Sequence, residues 1–266
     1  MQTSLNRETI LEALRTKHLG RPLIILETCS STNDAAAKLA SGGEVHGLTV
    51  IAEEQTAGRG RFGRAWSSPR GGIWMSILLR GSYIANAWDS LALIGALAIS
   101  RSLISELNVV ARVRWPNDVL VDDRKLSGVL VEAKSKGNEP DYALLGMGVN
   151  ANFPRNIIRD AAPFSTTLQD LLGHPIGREA IICAILSETE NLVDLMLSRG
   201  PSGILELLEK VECSRGKSVK VKLQDREISG VFDGYDGLAR IRLATGSGLL
   251  ETVETSSVVL AEYTGA

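Results

Sequence analysis

The sequence contains few residues of the kinds that build disulfide frameworks and metal centres. Its 266 residues include three cysteines and three histidines. An odd cysteine count with no C-x-x-C pair argues against a disulfide scaffold or a structural zinc site. The histidines, His18, His46 and His174, stand too far apart in the sequence to suggest a metal cluster.

Long apolar runs and a charge bias are also missing. The longest apolar stretch, 91–99, falls far short of the roughly 20 residues that a membrane-spanning helix needs. The first residues carry an early acidic side chain and lack the apolar segment of a secretory signal. Lysine and arginine (29) nearly balance aspartate and glutamate (31), whereas a nucleic-acid-binding protein needs a wider basic field. We therefore expect a cytoplasmic protein that binds neither membranes nor DNA.

The remaining composition is ordinary for a globular protein, and the length suits one large and one small domain. Hydrophobic periodicity predicts a mixture of strands and helices that do not alternate strictly, which indicates an α+β sheet domain. Strands are predicted at 23–26, 48–54, 73–79, 112–115, 119–121, 126–134 and 142–145. Helical patterns cover 7–18, 34–40, 87–107 and roughly 165–212.

The pattern changes near residue 214. Short alternating strands are predicted at 219–223, 227–232, 238–243 and 249–253, separated by glycine-containing turns. Such a series of about 50 residues is typical of a small β-barrel. We therefore expect two domains, 1–213 and 214–266.

The most informative segment is 55–66, where three arginines alternate with three glycines before a tryptophan. Arginines supply planar charged forks that match phosphates and carboxylates, and glycines let the backbone approach a ligand closely. This combination predicts a loop that wraps a phosphorylated, ring-bearing ligand. The residues are Gln55, Gly58, Arg59, Gly60, Arg61, Gly63, Arg64 and Trp66.

Three other interpretations of this segment compete. It fits a solvated surface loop, or a single-strand nucleic-acid contact in which an arginine lies beside an aromatic ring. Gly58, Gly60 and Gly63 also match the dinucleotide fingerprint, but that fingerprint needs a helix opening at the glycines. A proline and a glycine pair follow at 69–72 instead, and no Walker motif is present.

Three further motifs carry chemistry. Residues 114–118 (RWPND) place a cation, an aromatic ring, an amide and a carboxylate around a proline turn, although Asn and Asp are also ordinary turn residues. Lys125 opens the following strand and faces a cleft if side chains alternate there; a solvated strand-end lysine is the alternative. Residues 146–150 (GMGVN) end a strand in small residues, either as a plain turn or to permit close ligand approach.

In this order the motifs resemble those of the biotin protein ligases. They are 31–33 (STN), 58–66 (GRGRFGRAW), 114–118 (RWPND), 124–128 (RKLSG) and 146–150 (GMGVN). The resemblance covers roughly residues 23–264. It implies a mixed-sheet catalytic domain of the biotin/lipoate ligase type, binding biotin and ATP, followed by a small SH3-like β-barrel.

The resemblance also implies a two-step reaction. The biotin carboxylate attacks the α-phosphorus of ATP and forms biotinyl-5′-AMP, and a lysine of a biotin carboxyl carrier protein domain then takes the biotin. Mg²⁺ is expected with ATP because it prefers phosphate oxygens, and its protein ligands are left unassigned. Cations are needed where two anions meet.

Residue roles follow from the matching motifs. The resemblance places Arg59, Asp118 and Lys125 in catalysis, with Arg59 and Lys125 also touching biotin. Biotin contacts are further assigned to Ser31, Thr32, Gln55, Gly58, Gly128 and Gly148. ATP contacts are assigned to Arg61, Arg64, Trp66, Arg114, Asn117 and Asn150.

The sequence departs from the family pattern at two points. Arg114 stands where the family more often has lysine, and only about 22 residues precede the first predicted strand, too few for the DNA-binding domain of the family's repressor members. A homodimer fits the family but no segment proves it. The competing hypotheses are a lipoate or octanoate ligase or transferase of the same fold, and a non-enzymatic biotin sensor.

Overall fold

The computed structural model describes residues 4–43, 45–85, 90–136, 139–246 and 248–264. Its strands form two sheets, one of seven strands and one of five. Helices and strands mix in the first part of the chain, which confirms the predicted α+β class. Within the described residues, no helix is both long enough and apolar enough to cross a membrane.

The large sheet has the strand order β1-β2-β3-β7-β6-β5-β4. Its strands are β1 (Leu23–Cys29), β2 (Thr49–Gln55), β3 (Ile73–Leu79), β4 (Arg112–Arg114), β5 (Asp118–Val121), β6 (Arg124–Lys136) and β7 (Glu139–Val149). Strands β1 and β2 are parallel, and every other neighbouring pair is antiparallel. Strand β3 is buried at all seven positions because β2 and β7 flank it and helices cover the sheet.

Seven α-helices accompany the sheets in the described residues. They are α1 (Arg7–Ala13), α2 (Thr32–Ser41), α3 (Ser82–Ala85), α4 (Leu91–Leu107), α5 (Leu168–Leu172), α6 (Arg178–Arg199) and α7 (Pro201–Leu208). Alternate residues of β2 face opposite sides of the sheet. Ile51 joins the main core with α4 and α6, whereas Val50 packs with Ala36 and Ala40 of α2.

The smaller sheet has the order β11-β10-β9-β8-β12 and is antiparallel throughout. Its strands are β8 (Ser218–Lys222), β9 (Glu227–Tyr235), β10 (Ile241–Ala244), β11 (Leu250–Val253) and β12 (Leu260–Thr264). Val219 and Val221 alternate with exposed neighbours along β8 and join the same buried cluster as the large sheet. Strand β12 was not predicted from the sequence.

Several predicted bounds were wrong for identifiable reasons. The helix predicted at 7–18 ends at Ala13, because Leu14 takes an extended backbone conformation. Three helices fill the helical pattern of 165–212. The strand predicted from 238 begins at Ile241, because the Asp236 carboxylate accepts the backbone N–H groups of Leu238 and Arg240 in a turn. The helix predicted at 87–107 is observed from Leu91, and residues 86–89 lie outside the described residues.

The strand predicted at 142–145 is longer than expected. It continues through Gly146 and Gly148 to Val149 and pairs there with both β3 and β6. The glycine-rich segment is therefore the centre of the sheet, not a turn. A side chain at Gly146 would place its Cβ 2.6 Å from Asn33 Oδ1, so packing demands glycine at this position.

Candidate active site

A cavity of about 1070 Å³ lies where the large sheet meets the smaller one. Its walls come from the segment after β2, the start of α2, strands β5 to β7, and strand β12. All fifteen residues predicted for the site line this single cavity: Ser31, Thr32, Gln55, Gly58, Arg59, Arg61, Arg64, Trp66, Arg114, Asn117, Asp118, Lys125, Gly128, Gly148 and Asn150. The structure therefore brings together motifs that are more than a hundred residues apart in the sequence.

The arginine-glycine segment folds into a small hairpin, which we call the arginine loop (residues 55–68). Gln55 bridges Ser68 at its base, Arg59 bridges Ala65, and residues 61–63 form a 3₁₀ turn at the tip. Gly58 is required here, since a Cβ would lie 2.6 Å from the carbonyl oxygen of Trp66. A hairpin follows β2 instead of a helix, which agrees with the rejection of the dinucleotide fingerprint.

Arg59 of this hairpin is held by two carboxylates from other elements, Asp34 of α2 and Glu132 of β6. Its guanidinium donates to both oxygens of Asp34 at 2.8 and 2.6 Å, and to Glu132 at 3.1 and 3.0 Å. These hydrogen bonds raise the pKa of Arg59 above its ordinary value, and those that Asp34 accepts contribute most. The sequence predicted Arg59 but neither acidic partner. Glu132 was detectable, because it lies on the same face of β6 as Gly128 by the two-residue period of a strand.

Arg61 points away from Arg59 toward the smaller sheet. Its Nη2 donates to the backbone carbonyl of Thr255 at 3.3 Å and to that of Val258. Burial lowers the pKa of Arg61 to about 10, which leaves the side chain charged at neutral pH. Arg64 makes one long contact, from Nε to the Arg61 carbonyl at 3.4 Å.

Trp66 lies against two of the glycines that were predicted to admit biotin. A Cβ at Gly148 would stand 2.7 Å from the indole Nε1, and one at Gly128 would stand 3.4 Å from the ring. Among the described residues the indole Nε1 has no hydrogen-bond partner. In this structure the group that lies close to both glycines is the Trp66 indole, and their contact with biotin stays a prediction.

Lys125, Asp118 and Arg114 form a connected ion-pair group. Lys125 Nζ lies 2.5 Å from Asp118 Oδ1, and Arg114 Nη2 donates to Asp118 Oδ2 at 2.8 Å. Burial alone would raise the pKa of Asp118, but the charges of Lys125 and Arg114 outweigh it and hold that pKa below its ordinary value. The ammonium of Lys125 also lies 5.2 Å from the centre of the Trp66 ring.

An irregularity in the pairing of β5 with β6 directs Lys125 into the cavity. Leu120 is paired with Lys125 and Val119 with Ser127, so the register shifts by one residue at Leu126. Lys125 and Gly128 line the cavity although they are an odd number of residues apart, while Leu126 is buried in the core. Bulges often redirect a side chain in this way beside an active site.

Polar side chains at the start of α2 form a second cluster. Thr32 donates from its backbone nitrogen and its hydroxyl to Gln55 Oε1, at 2.8 and 3.1 Å. Gln55 Nε2 donates in turn to Ser68 Oγ at 2.8 Å. Ser76, which was not predicted, lies 2.7 Å from the Thr32 hydroxyl. These hydrogen bonds fix the orientation of donors and acceptors on the cavity wall, where they can bind a polar ligand group.

Two predicted asparagines are tied to the backbone at the cavity wall. Asn117 Nδ2 donates to the carbonyl of Val129 at 2.8 Å, and Asn150 Nδ2 donates to that of Thr166 at 3.0 Å. Their positions are therefore fixed before a ligand binds. Among the described residues, no group of three or more His, Cys, Asp and Glu side chains is arranged to hold a metal ion.

Comparisons with known proteins identify the family of this chain. Residues 25–150 match the model of the Biotin/lipoate A/B protein ligase family. The chain is 30% identical to the biotin--[acetyl-CoA-carboxylase] ligase of Mycobacterium tuberculosis, over 84% of this chain and 83% of that protein. It is 29% identical to the bifunctional ligase/repressor BirA of Bacillus subtilis, over 92% of this chain and 76% of that protein.

A solved structure extends the comparison to three dimensions. The biotin protein ligase from Aquifex aeolicus in complex with biotin and ATP superposes with a TM-score of 0.78 at 26% identity. The superposition covers 94% of this chain and all of that one. This chain accordingly belongs to the biotin protein ligases within the Biotin/lipoate A/B protein ligase family.

Proposed function

We propose that the cavity is the site where this chain activates biotin with ATP and from which it transfers biotin to a lysine of a carrier protein. One observation carries the assignment of residues: four arginines and Lys125 line one cavity together with a polar cluster built on Thr32 and Gln55. The cations suit a place where a carboxylate must approach a triphosphate. The polar cluster suits the ureido ring of biotin.

Biotin lies along the polar cluster with its ring near Ser31, Thr32 and Gln55. The Thr32 and Gln55 side chains are already hydrogen-bonded to each other, so the site is organised in advance. Gly58, Gly128 and Gly148 supply the surface on which the ligand packs. Because the Trp66 indole lies on Gly128 and Gly148 in this structure, we infer that it leaves them as the ligands bind and stacks on adenine.

Activation joins the two ligands. A carboxylate oxygen of biotin attacks the α-phosphorus, the bond from phosphorus to the bridging oxygen breaks, and pyrophosphate leaves with its electron pair. Lys125 and Arg59 lie at this junction and reduce the repulsion between the anions. Asp118 orients Lys125, and Arg59 exchanges one of its carboxylate partners for the ligand.

Transfer needs no protein nucleophile. The amine of the acceptor lysine attacks the carbonyl carbon of biotinyl-5′-AMP, the bond between that carbon and the phosphate oxygen breaks, and AMP leaves. The amine loses a proton as the amide forms. Arg61, Arg64, Arg114 and Asn117 hold the phosphate side of the intermediate, and Asn150 contacts the adenine edge.

The described residues of the cavity offer magnesium no ready set of protein ligands. Asp118 is shared by two cations, and the carboxylates of Asp34 and Glu132 are engaged by Arg59. Mg²⁺ would therefore enter on the phosphate oxygens of ATP, where its charge would offset theirs.

The rest of the molecule fits the same assignment. We propose that residues 1–213 form the catalytic domain and residues 214–266 a second domain of the SH3-like barrel type, as its five antiparallel strands suggest. The acceptor is a biotin carboxyl carrier protein domain. The three cysteines are free thiols, which suits the reducing cytoplasm.

ATP–pyrophosphate exchange tests the proposal, with biotin, lipoate or octanoate as the only added acid. Exchange with biotin alone is expected. Exchange with lipoate or octanoate would leave the fold assignment intact but overturn the proposal that biotin is the substrate. If folded protein supplied with Mg²⁺ showed no exchange with any of the acids, the result would favour a sensor or an ATP-independent transferase.

A further inference from the structure

The last strand of the chain contributes a side chain to the active site. Tyr263 on β12 lines the cavity, and its ring centre lies 5.6 Å from the Arg114 guanidinium carbon. An arginine at this distance from an aromatic face is attracted by the ring's quadrupole. The contact joins the smaller sheet directly to the ion-pair group of the larger one.

The same strand also holds the backbone beside Arg114. The Tyr263 hydroxyl donates to the carbonyl oxygen of Trp115 at 2.7 Å and lies 3.0 Å from Ser214 Oγ. Ser214 Oγ accepts the backbone N–H of Trp115 at 3.2 Å. Trp115 is fully buried, and its indole donates to Thr255 Oγ1 at 3.1 Å. Every one of these partners lies beyond residue 213.

Arg114 connects Tyr263 to Lys125, the residue proposed at the junction of biotin and ATP, through Asp118. Its guanidinium donates to one oxygen of Asp118, whose other oxygen lies 2.5 Å from Lys125 Nζ. Arginine is planar, so its face stacks on a ring while its edge donates to a carboxylate, and the two contacts together fix the plane of the guanidinium. The ammonium of lysine is a compact point charge and has no plane to be fixed. Arg114 therefore has an aromatic partner on one side, Tyr263, and a carboxylate partner at its edge, Asp118.

We propose that Tyr263 is a positioning residue for biotin activation, acting through Arg114 and Asp118 on Lys125. The proposal rests on the catalytic roles assigned above to Asp118 and Lys125. Tyr263 fixes the plane of the Arg114 guanidinium, so that Asp118 can contact both cations at once. Without the ring, Arg114 gains rotational freedom and Asp118 no longer holds Lys125 in one orientation.

A double-mutant cycle tests this coupling with biotin-dependent pyrophosphate exchange. Tyr263→Leu is expected to lower kcat about tenfold while the KM for biotin changes by less than about twofold, since small displacements at a reacting centre are costly. In an Arg114→Ala background the same change should lower kcat by less than about twofold, because coupled residues are not additive. Tyr263→Phe keeps the ring over Arg114 but loses the hydroxyl bond to the Trp115 carbonyl, so its loss of kcat should be smaller than that of Tyr263→Leu.

Equal kcat losses from Tyr263→Leu in the wild-type and the Arg114→Ala proteins would overturn the proposal. An effect confined to the KM for ATP would also overturn it, because it would mean that Tyr263 contacts the nucleotide directly. Tyr235→Leu is the matched control: this buried tyrosine belongs to the same sheet, lies outside the cavity lining, and should leave kcat unchanged. A kcat loss equal to that of Tyr263→Leu would indicate general loosening of the sheet. If Tyr263→Leu does not fold, Tyr263→Met replaces it, because methionine fills irregular space without a ring.

Lys125→Ala, measured in parallel, separates the two proposals. If Lys125→Ala loses most of its exchange activity and the effects of Tyr263→Leu and Arg114→Ala are additive, only the positioning role of Tyr263 is overturned. An unaffected Lys125→Ala would remove the catalytic assignment on which that role depends.

Discussion

Lys125 depends on a single carboxylate for its orientation. Asp118 is mostly buried and contacts Lys125 with one oxygen and Arg114 with the other. A buried carboxylate between two cations is strongly stabilised in its charged form. The negative charge of Asp118 therefore holds Lys125 in place, while the two cations beside it still outnumber that single negative charge. Arginines of the loop supply the remaining positive charge.

Lys125→Ala removes the cation proposed at the junction of biotin and ATP. We expect the rate of biotin-dependent pyrophosphate exchange to fall roughly 10²-fold or more, the usual scale for losing one preorganised electrostatic group. Lys134→Ala is the control, because Lys134 is an exposed lysine of the same strand. Near wild-type exchange by Lys125→Ala would exclude Lys125 from the mechanism.

Sequence reasoning located the cavity residues but not all their partners. The alternation of arginine and glycine indicated a ligand-binding loop that contains Arg59, and the resemblance to the biotin protein ligases assigned the roles of Arg59 and Lys125. Neither predicted Tyr263 or Asp34, which reach the site through the pairing of β12 and the packing of α2. Such partners depend on tertiary contacts between distant segments, and no local pattern encodes them.

At the scale of elements, the arginine loop is anchored at two ends. Its base is tied to β2 through the Gln55–Ser68 bridge, and its tip is tied to the smaller sheet through Arg61. Phe62, next to Arg61, takes a left-handed backbone conformation (φ 58°), which costs energy for a bulky residue. The tip therefore relies on the Arg61 contacts to hold its shape.

Arg61→Ala should loosen this tip and let the intermediate escape. We expect biotinyl-5′-AMP to leave the enzyme about tenfold faster, which corresponds to losing about 1.4 kcal/mol of hydrogen bonding. Release of labelled intermediate can be followed after rapid removal of free ligand. Arg70→Ala serves as the control, since Arg70 pairs with Glu27 outside the cavity. Unchanged retention of the intermediate by Arg61→Ala would contradict the anchoring role.

The elements themselves were predictable where the local pattern decided them. Strand β3 was predicted with its observed bounds, because a short apolar run is typical of a buried strand. Gly146 and Gly148 were misassigned as a strand end, since glycine ordinarily weakens strands. In the folded chain Gly146 leaves room for Asn33, and Gly148 leaves room for Trp66. Because both neighbours come from distant segments, the sequence around the glycines does not reveal these contacts.

At the scale of the whole molecule, buried carboxylates join distant parts of the chain. Glu53 of β2 pairs with Arg178 of α6 and accepts the backbone N–H of Leu5. Glu190 of α6 accepts the backbone N–H groups of Lys17, His18 and Leu19 at 2.6, 2.8 and 3.0 Å. The helix predicted to run to residue 18 is thus replaced by an irregular segment whose N–H groups bind Glu190.

Glu190 should make the stability of the whole protein depend on pH. Burial alone would raise its pKa, but hydrogen bonds from the backbone of residues 17–19 and the nearby His18 ring outweigh burial and hold the pKa below its ordinary value. A group whose pKa is lower in the folded state stabilises the fold above its unfolded pKa. That contribution is lost as the pH falls through the folded pKa.

Glu190→Gln should therefore lower the free energy of unfolding most at neutral pH, by about 1–3 kcal/mol for a hydrogen-bonded charged acceptor. The difference from wild type should shrink as the pH falls from the ordinary pKa of a glutamate through the lowered pKa of folded Glu190, because the wild-type carboxyl becomes neutral over that range. Urea unfolding at a series of pH values measures both effects. Glu206→Gln is the control, since Glu206 is an exposed glutamate of α7 whose loss should matter little at any pH. A stability difference for Glu190→Gln that stayed constant from pH 7 to pH 3 would mean that packing, not the carboxylate charge, ties the N-terminal segment to α6.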